Sequence, residues 1–473
     1  MREVGIIIAS EQKKFLIALA LQFIKLHDFK VTIFARDKYV VDLANKILPI
    51  DNKIHVIDCS KLSVKLDTDA ALKEAEKIEN RYSVKLSMLL SEDRALGQGY
   101  LSNVEKVPDI KRASWAYTRK IREIVNEIIT KERILNKLNI VIQRWPNKIT
   151  TMILRNKGAS SFSFVPIKYG NRYFWSDNDF ITGELYIKRL KEYCENYTHG
   201  VVLSYEIDKM GDIKNKKAKY TYTSALKASA QILINDSKNF ARGINKIDSY
   251  HYLGWLPSRF RSVSNYKYVK KNSVKPGDLS EYQTVFFPLH LEPEVALQYF
   301  SPEFSNSMEA IVWISKSLPV NYIVVVKEQA NSYGVRSRWY YKQLIKIPNV
   351  VMSHPDSHSW DWIKSSNIVA TITGTAGQEA VNFEKPVLSF GKHQIINYLP
   401  TVYYVSNYIE VNKALDGIIH QPPTQDDYNK SRTAFIKAQI ESSIDMPMLD
   451  NNIELETAAE ALNHLANEYP EVF

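Results

Sequence analysis

The sequence predicts an α/β protein built from two doubly wound parallel sheets, on three observations. Short apolar strands alternate with helical segments from the first residues onward, the alternation restarts near residue 284, and a glycine-rich loop separates strand from helix late in the chain. The first series runs from a buried strand, Glu3-Val-Gly-Ile-Ile-Ile-Ala9, through a helical pattern over Glu11–Leu26 to a strand at Lys30–Ala35. A helix at Lys38–Ile47 and a strand at Lys53–Asp58 follow. A β-α-β-α-β order at this spacing argues for a parallel, doubly wound sheet. Residues 65–135 read as mostly helical, broken around Leu96-Gly-Gln-Gly99, and Asn139–Ile142 and Ser160–Val165 read as two further strands.

From about 180 to 275 the pattern is helices and polar turns. The second series opens with a strand at Thr284–Leu289, a helix at Ser305–Leu318 and a strand at Tyr322–Val326. A helix at Ser337–Ile345, a short strand at Val350–Met352 and a helix around Trp360–Lys364 lead to the glycine-loop unit. That unit is read as strand Ile368–Ile372, loop Thr373–Gly377, helix Gln378–Phe383 and strand Pro386–Phe390. The last helix, Leu455–Glu468, carries apolar residues at helical spacing but finds no partner in its own segment, so it is expected to dock back across the molecule. The expected organisation is a first domain over 1–180, a helical basic connecting segment over 181–280, a second domain over 281–450 and a return helix over 451–473.

Composition agrees with a large soluble protein. At 473 residues, 45% apolar and 24% charged, the chain can fill two or three cores at ~150 residues per domain. The apolar runs at Val4–Ala9 and Leu16–Leu21 are too short for a signal peptide or a membrane span. Two cysteines in unrelated segments, Cys59 and Cys194, suit a reducing compartment. The expected location is therefore cytoplasmic, with peripheral attachment to the inner face of the plasma membrane.

The net charge of +10 is concentrated: Lys209–Lys275 holds 15 Lys and Arg against 3 Asp, interleaved with tyrosines. Such a segment suits anionic lipid headgroups, an acidic glycan or nucleic acid, and a merely solvated basic face competes with all three.

Candidate site residues gather at strand ends. Gly374 and Gly377 would let backbone N–H groups at a helix N-terminus approach a phosphate, with Thr375 beside them and Glu379 within reach of ribose hydroxyls. A tight strand-to-helix connection is the plainer alternative. His290, Glu292 and Glu294 follow the Thr284–Leu289 strand and could transfer protons or bind hydroxyls. Lys327, Glu328, Arg336 and Arg338 follow the next strand, and cations there suit a diphosphate, with surface ion pairing as the alternative. The Asp-x-Asp pairs at Asp67 and Asp177 and the histidines at His354 and His358 lack the further ligands of a metal site, so none is expected. Walker, Gly-x-Ser-x-Gly and Gly-x-Gly-x-x-Gly patterns are missing after the first strand, which removes the usual signals for ATPase, hydrolase and dinucleotide enzymes.

Taken together, Phe286-Phe-Pro-Leu-His-Leu-Glu-Pro-Glu294, Val326-Lys-Glu328, Pro348-Asn-Val350, Thr373-Gly-Thr-Ala-Gly-Gln-Glu-Ala380, Lys385-Pro-Val387 and Phe390-Gly391 resemble the bacterial capsule polysaccharide biosynthesis proteins. These are GT-B glycosyltransferases related to the Kdo transferases of capsule and lipopolysaccharide assembly. The match is dense over about 282–405, with weaker echoes at Glu79-Asn-Arg-Tyr82, Glu92-Asp-Arg94 and Gly97-Gln-Gly-Tyr100.

The resemblance implies two Rossmann-like domains around a deep cleft, with the acceptor held mainly by the first. A nucleotide sugar, as substrate rather than cofactor, would be held mainly by the second without an essential metal. It implies Gly374, Thr375 and Gly377 on the donor phosphate and Glu379 on the nucleoside, with His290, Glu292 and Glu328 at the reaction centre and Lys327 and Arg336 on the donor. One departure stands out: the family reads Lys-Glu-His-Pro where this chain has Gln329-Ala330 after Glu328.

The expected function is sugar transfer from a CMP-Kdo-like or UDP-sugar donor to a growing surface polysaccharide or lipid-linked glycan. An anionic membrane surface is an expected further partner through residues 209–275, and nucleic acid is not favoured. The alternatives are a nucleotide-sugar epimerase or hydrolase on the same scaffold, and a non-catalytic glycan or nucleic-acid binding protein.

Overall fold

The computed structural model describes residues 2–8, 12–49, 51–92, 110–145, 147–167, 170–199, 220–241, 252–291, 297, 301, 304, 307–446 and 455–473. Within them lie two parallel-rich sheets, each with helices on both faces.

The first sheet takes β1 (Glu3–Ile8), β2 (Lys30–Ala35), β3 (Ile54–Asp58), β4 (Ile140–Gln143), β5 (Ser160–Pro166) and β6 (Arg172–Ser176) in the spatial order β6-β5-β4-β1-β2-β3. All pairs are parallel except β5 with β6. β1 and β4 are almost wholly buried because helices cover both faces, which is why they read as continuous apolar runs rather than alternating ones. The helix Lys13–His27 packs on one face through Phe15, Leu16, Leu19 and Phe23. The helix Ile110–Leu135 packs on the other through Ile121, Ile124, Val125 and Ile128.

The second sheet takes β7 (Ser273–Val274), β8 (Gln283–Pro288), β9 (Tyr322–Lys327), β10 (Val350–Ser353), β11 (Ile368–Thr371), β12 (Val387–Ser389) and β13 (Val402–Tyr404). Their order is β13-β12-β11-β8-β9-β10-β7, parallel throughout. From β8 the chain first winds outward through β9 and β10, then returns to the other side of β8 as β11 and winds away through β12 and β13. The direction therefore reverses between β8 and β11. At such a switch point the connections leave to opposite sides and open a crevice at the strands' carboxyl ends.

The C-terminal helix docks back on the first domain, as expected. Ala458, Ala461, Leu462 and Leu465 are fully buried in the core that holds Val4, Ile6 and Phe23. The Trp175 indole donates to the Ala461 carbonyl at 2.8 Å. Arg189 grips Glu468 with two hydrogen bonds at 2.5 and 2.9 Å.

The return starts before that helix. Ile444–Asp445 already pairs antiparallel with β6, although it lies inside the stretch expected to belong to the second domain. The glycine-loop unit also differs from expectation. Its helix begins at Thr375 rather than Gln378, so the loop is only Ile372–Gly374.

Candidate functional site

The switch point of the second sheet is occupied by His290, two residues past the end of β8, and by Thr373 and Gly374, just past β11. The Thr373 backbone N–H donates to His290 Nε2 at 3.0 Å. A ring nitrogen that accepts carries no proton, so the proton sits on Nδ1. That Nδ1 is buried and has no hydrogen-bond partner among the described residues. Burial, helped by the nearby Arg336 guanidinium, pushes the His290 pKa down to about 3. The ring is therefore a neutral donor with no free lone pair. It can hydrogen-bond to an incoming oxygen but cannot remove a proton.

Gly374 is the N-cap of the helix Thr375–Asn382, and its N–H donates to Thr371 Oγ1 at 2.9 Å. A Cβ at Gly374 would stand 2.8 Å from that same Oγ1 and 3.1 Å from His290 Nε2. Glycine is required here so that the loop can close over the imidazole. Gly377 works differently from expectation. It lies inside the first turn of the helix, where a Cβ would meet Ile396 Cδ1 at 2.6 Å and Thr371 Cγ2 at 3.0 Å. It is buried to let helix and sheet pack closely, and it does not face an anion across a loop. Thr375 is exposed at the first helical position, and Glu379 is half-buried one turn on and already engaged. Thr373 Oγ1 and Gln378 Oε1 are buried without partners among the described residues.

Glu328 and Arg336 turn inward. Their side chains are 0% and 4% exposed, and Arg336 Nη1 reaches the two Glu328 oxygens at 2.8 and 2.7 Å. The carboxylate also accepts from Tyr341 Oη at 2.8 Å and from the Gln329 N–H at 2.9 Å. Burial raises the Glu328 pKa against the opposing pull of these donors. Arg336 Nη2 also donates to the His290 carbonyl. The expected catalytic Glu328 and donor-binding Arg336 are thus a buried pair that holds the backbone of His290 in place. Neither offers an open charge to a ligand. Their spacing across a polar, glycine-containing turn gave no sign of this pairing.

Lys327 is the cation that remains. It ends β9 beside Pro288 of β8; its carbonyl accepts from the Leu289 N–H at 2.8 Å, but its side chain forms no hydrogen bond or ion pair among the described residues. Burial lowers its pKa, while Glu328 and Asp356 partly offset the shift. Asp356 itself is held by Tyr266 Oη at 2.7 Å and Lys270 Nζ at 3.2 Å. Arg338 donates to the Ser264 carbonyl, away from the switch point.

Glu292 and Glu294 lie outside the described residues, as do the echoes at Arg94 and Gly97–Tyr100. The Asp177 and Asp67 pairs serve as local caps: Asp177 accepts from the Glu184 N–H and Asp67 from the Ala70 N–H, both at 2.8 Å. No group of three or more metal-ligating residues occurs among the described residues.

Sequence reasoning missed one feature at the matching position of the first sheet, whose direction reverses between β1 and β4. Trp145, just past β4, is 43% exposed, and the Arg144 guanidinium lies over its ring at 4.1 Å. A large aromatic directly after a buried strand was the available signal.

The chain is similar in fold to several solved structures. One is a β-Kdo 2,7-transferase of Thermosulfurimonas dismutans, at 12% identity over 72% of this chain and 89% of that one, with a TM-score of 0.35. Another is a UDP-GlcNAc 2-epimerase of Neisseria meningitidis bound to UDP-GlcNAc, at 11% identity over 93% and 100%, TM-score 0.23. A third is the UDP-GlcNAc 2-epimerase of Methanocaldococcus jannaschii in complex with UDP-GlcNAc and UDP, at 10% identity over 93% and 100%, TM-score 0.28. Similarity at this level carries no argument about activity. No protein-family model and no curated protein matches the chain.

Proposed function

We propose that the protein binds a nucleotide sugar at the switch point of the second sheet and transfers the sugar to a hydroxyl of a surface-polysaccharide or lipid-linked glycan. The observation that carries this reading is the buried His290 Nδ1–H, without a partner among the described residues, beside the Gly374 helix N-terminus. A donor fixed in place by its second nitrogen, next to free backbone N–H groups, suits the oxygens of a departing phosphate. Lys327 adds a charge at the neighbouring strand end, where its unpaired ammonium gains most from an anion.

Transfer breaks the bond between the anomeric carbon and the phosphate oxygen and forms a bond from the same carbon to the acceptor oxygen. Negative charge grows on the leaving phosphate, and His290, Lys327 and the helix N-terminus oppose it. The acceptor proton must go to a base other than His290. Glu292, two residues further on, has the chemistry for that role. Glu328 and Arg336 act as positioning residues by fixing the His290 main chain. The Arg144–Trp145 stack offers an aromatic face and a cation to an acceptor sugar.

The test is to supply CMP-, UDP- and GDP-sugars with and without glycan acceptors and to follow nucleotide release. Release that depends on an acceptor supports transfer. Release or epimerisation without any acceptor contradicts it.

A further inference from the structure

We infer that the helical hairpin between the two domains docks the protein on an anionic membrane surface. The hairpin consists of helices Tyr222–Ala241 and Tyr252–Lys271. It is fastened to the second domain through the buried Asn265, which donates to the Tyr333 and Arg336 carbonyls at 2.8 and 2.9 Å. Tyr220 stacks on Tyr266 at 4.3 Å and braces the same joint. On the first helix Ala225 and Ser229 are buried against this support. The exposed flank next to that buried edge is largely apolar, and Lys227 and Gln231 lie beyond it. Leu226, Leu233 and Ile234 are 57%, 47% and 48% exposed, and Ala230 lies between them. At 100° per residue these four positions fall within one exposed arc, which they share with Thr223 and Ser237 but with no charged residue.

Charge surrounds that stripe. Lys227, Lys267 and Lys271 are exposed, and among the described residues none of them has a carboxylate partner. Lys267 lies over the Tyr222 ring at 4.6 Å. Across Tyr220–Lys275 the sequence has 10 Lys and Arg against 2 Asp. A leucine and isoleucine stripe edged by unneutralised lysines matches a lipid interface with anionic headgroups, which takes up both the apolar face and the charge. A second copy of this equally basic face would be repelled. No helix among the described residues is long and apolar enough to cross a membrane. Attachment through one such face is reversible.

The experiment is co-sedimentation of the full chain with vesicles of phosphatidylcholine alone or with phosphatidylglycerol added. Binding is expected only to the anionic vesicles and should fall as salt rises from about 0.05 to about 0.5 M. The triple variant Leu226→Ser/Leu233→Ser/Ile234→Ser and the triple variant Lys227→Glu/Lys267→Glu/Lys271→Glu should each partition roughly tenfold more weakly, with unchanged unfolding transitions. The second variant keeps the test decisive if the first does not fold. Equal binding by the folded variants and the wild type overturns the proposal. So does a wild-type dimer in sedimentation velocity that the first variant dissolves, or binding to an oligonucleotide but not to vesicles.

Discussion

The backbone N–H of Thr373 donates to Nε2 of His290 across 83 residues of sequence, joining the carboxyl ends of β8 and β11 where the second sheet changes direction. This bond decides what the histidine can do. It occupies the only lone pair on the ring and leaves the proton pointing from the other nitrogen.

The first prediction concerns pH. The folded-state pKa of His290 is pushed down to about 3, below that of an unfolded histidine. Between the two values the unfolded chain binds the extra proton, so stability is complete above about pH 6.5 and falls as pH drops toward 3. The slope from this group approaches about 1.4 kcal/mol per pH unit. Denaturant unfolding of His290→Gln across the acid range should show a correspondingly flatter profile. The NMR signal of His290 should also show no titration near neutral pH.

The two glycines should separate by phenotype. Gly374→Ala places a Cβ against His290 and Thr371 Oγ1. It should weaken nucleotide binding or turnover at least about tenfold in addition to a stability cost of about 1–3 kcal/mol, since the Cβ must displace its neighbours, whereas Gly377→Ala should leave binding nearly unchanged. Gly377→Ala drives a Cβ into Ile396 and Thr371 Cγ2, and should cost about 1–3 kcal/mol of stability. Paired calorimetric unfolding and ligand titration of both variants distinguish the two roles.

Much of the fold was legible because its strands are long, apolar and buried on both faces. β1, β2, β8 and β9 each carry four to six buried or nearly buried residues in a row, and the helices between them follow regular spacing. The elements that escaped are those whose identity comes from distant partners. Ile444–Asp445 is held by β6 across more than 260 residues, and a two-residue strand has no periodicity of its own.

At the candidate site, the places of Gly374 and His290 just past strands could be read from the sequence, and the fold brings the two side by side. The Glu328–Arg336 pair could not be recognised, because a charged residue after a strand looks the same whether it faces a ligand or a buried partner. Gly377 was misread for a similar reason: small residues serve both loops and close-packed helix turns.

The buried pair makes its own prediction. Glu328→Gln or Arg336→Met leaves an uncompensated polar group in a closed site, and each should cost about 3–5 kcal/mol in urea unfolding. Glu328→Gln/Arg336→Met together should cost less than the sum of the singles, which a double-mutant cycle reads directly.

Lys327 should trade stability for binding. Its burial without a partner disfavours the charged form in the free protein. Lys327→Met should therefore raise the unfolding midpoint of the ligand-free protein while weakening nucleotide binding about tenfold or more. Wild-type binding should decline as pH rises through the lowered lysine pKa, and the variant should lack that decline.

The central claim is that an anion-binding site lies where His290 meets the Gly374 helix N-terminus, and titration calorimetry with CMP, UDP and GDP tests it most directly. Saturable binding of one of them to the wild type is expected, with none to Gly374→Asp and that variant still folded. Failure of all three to bind the wild type, or equal affinity in Gly374→Asp, would contradict it.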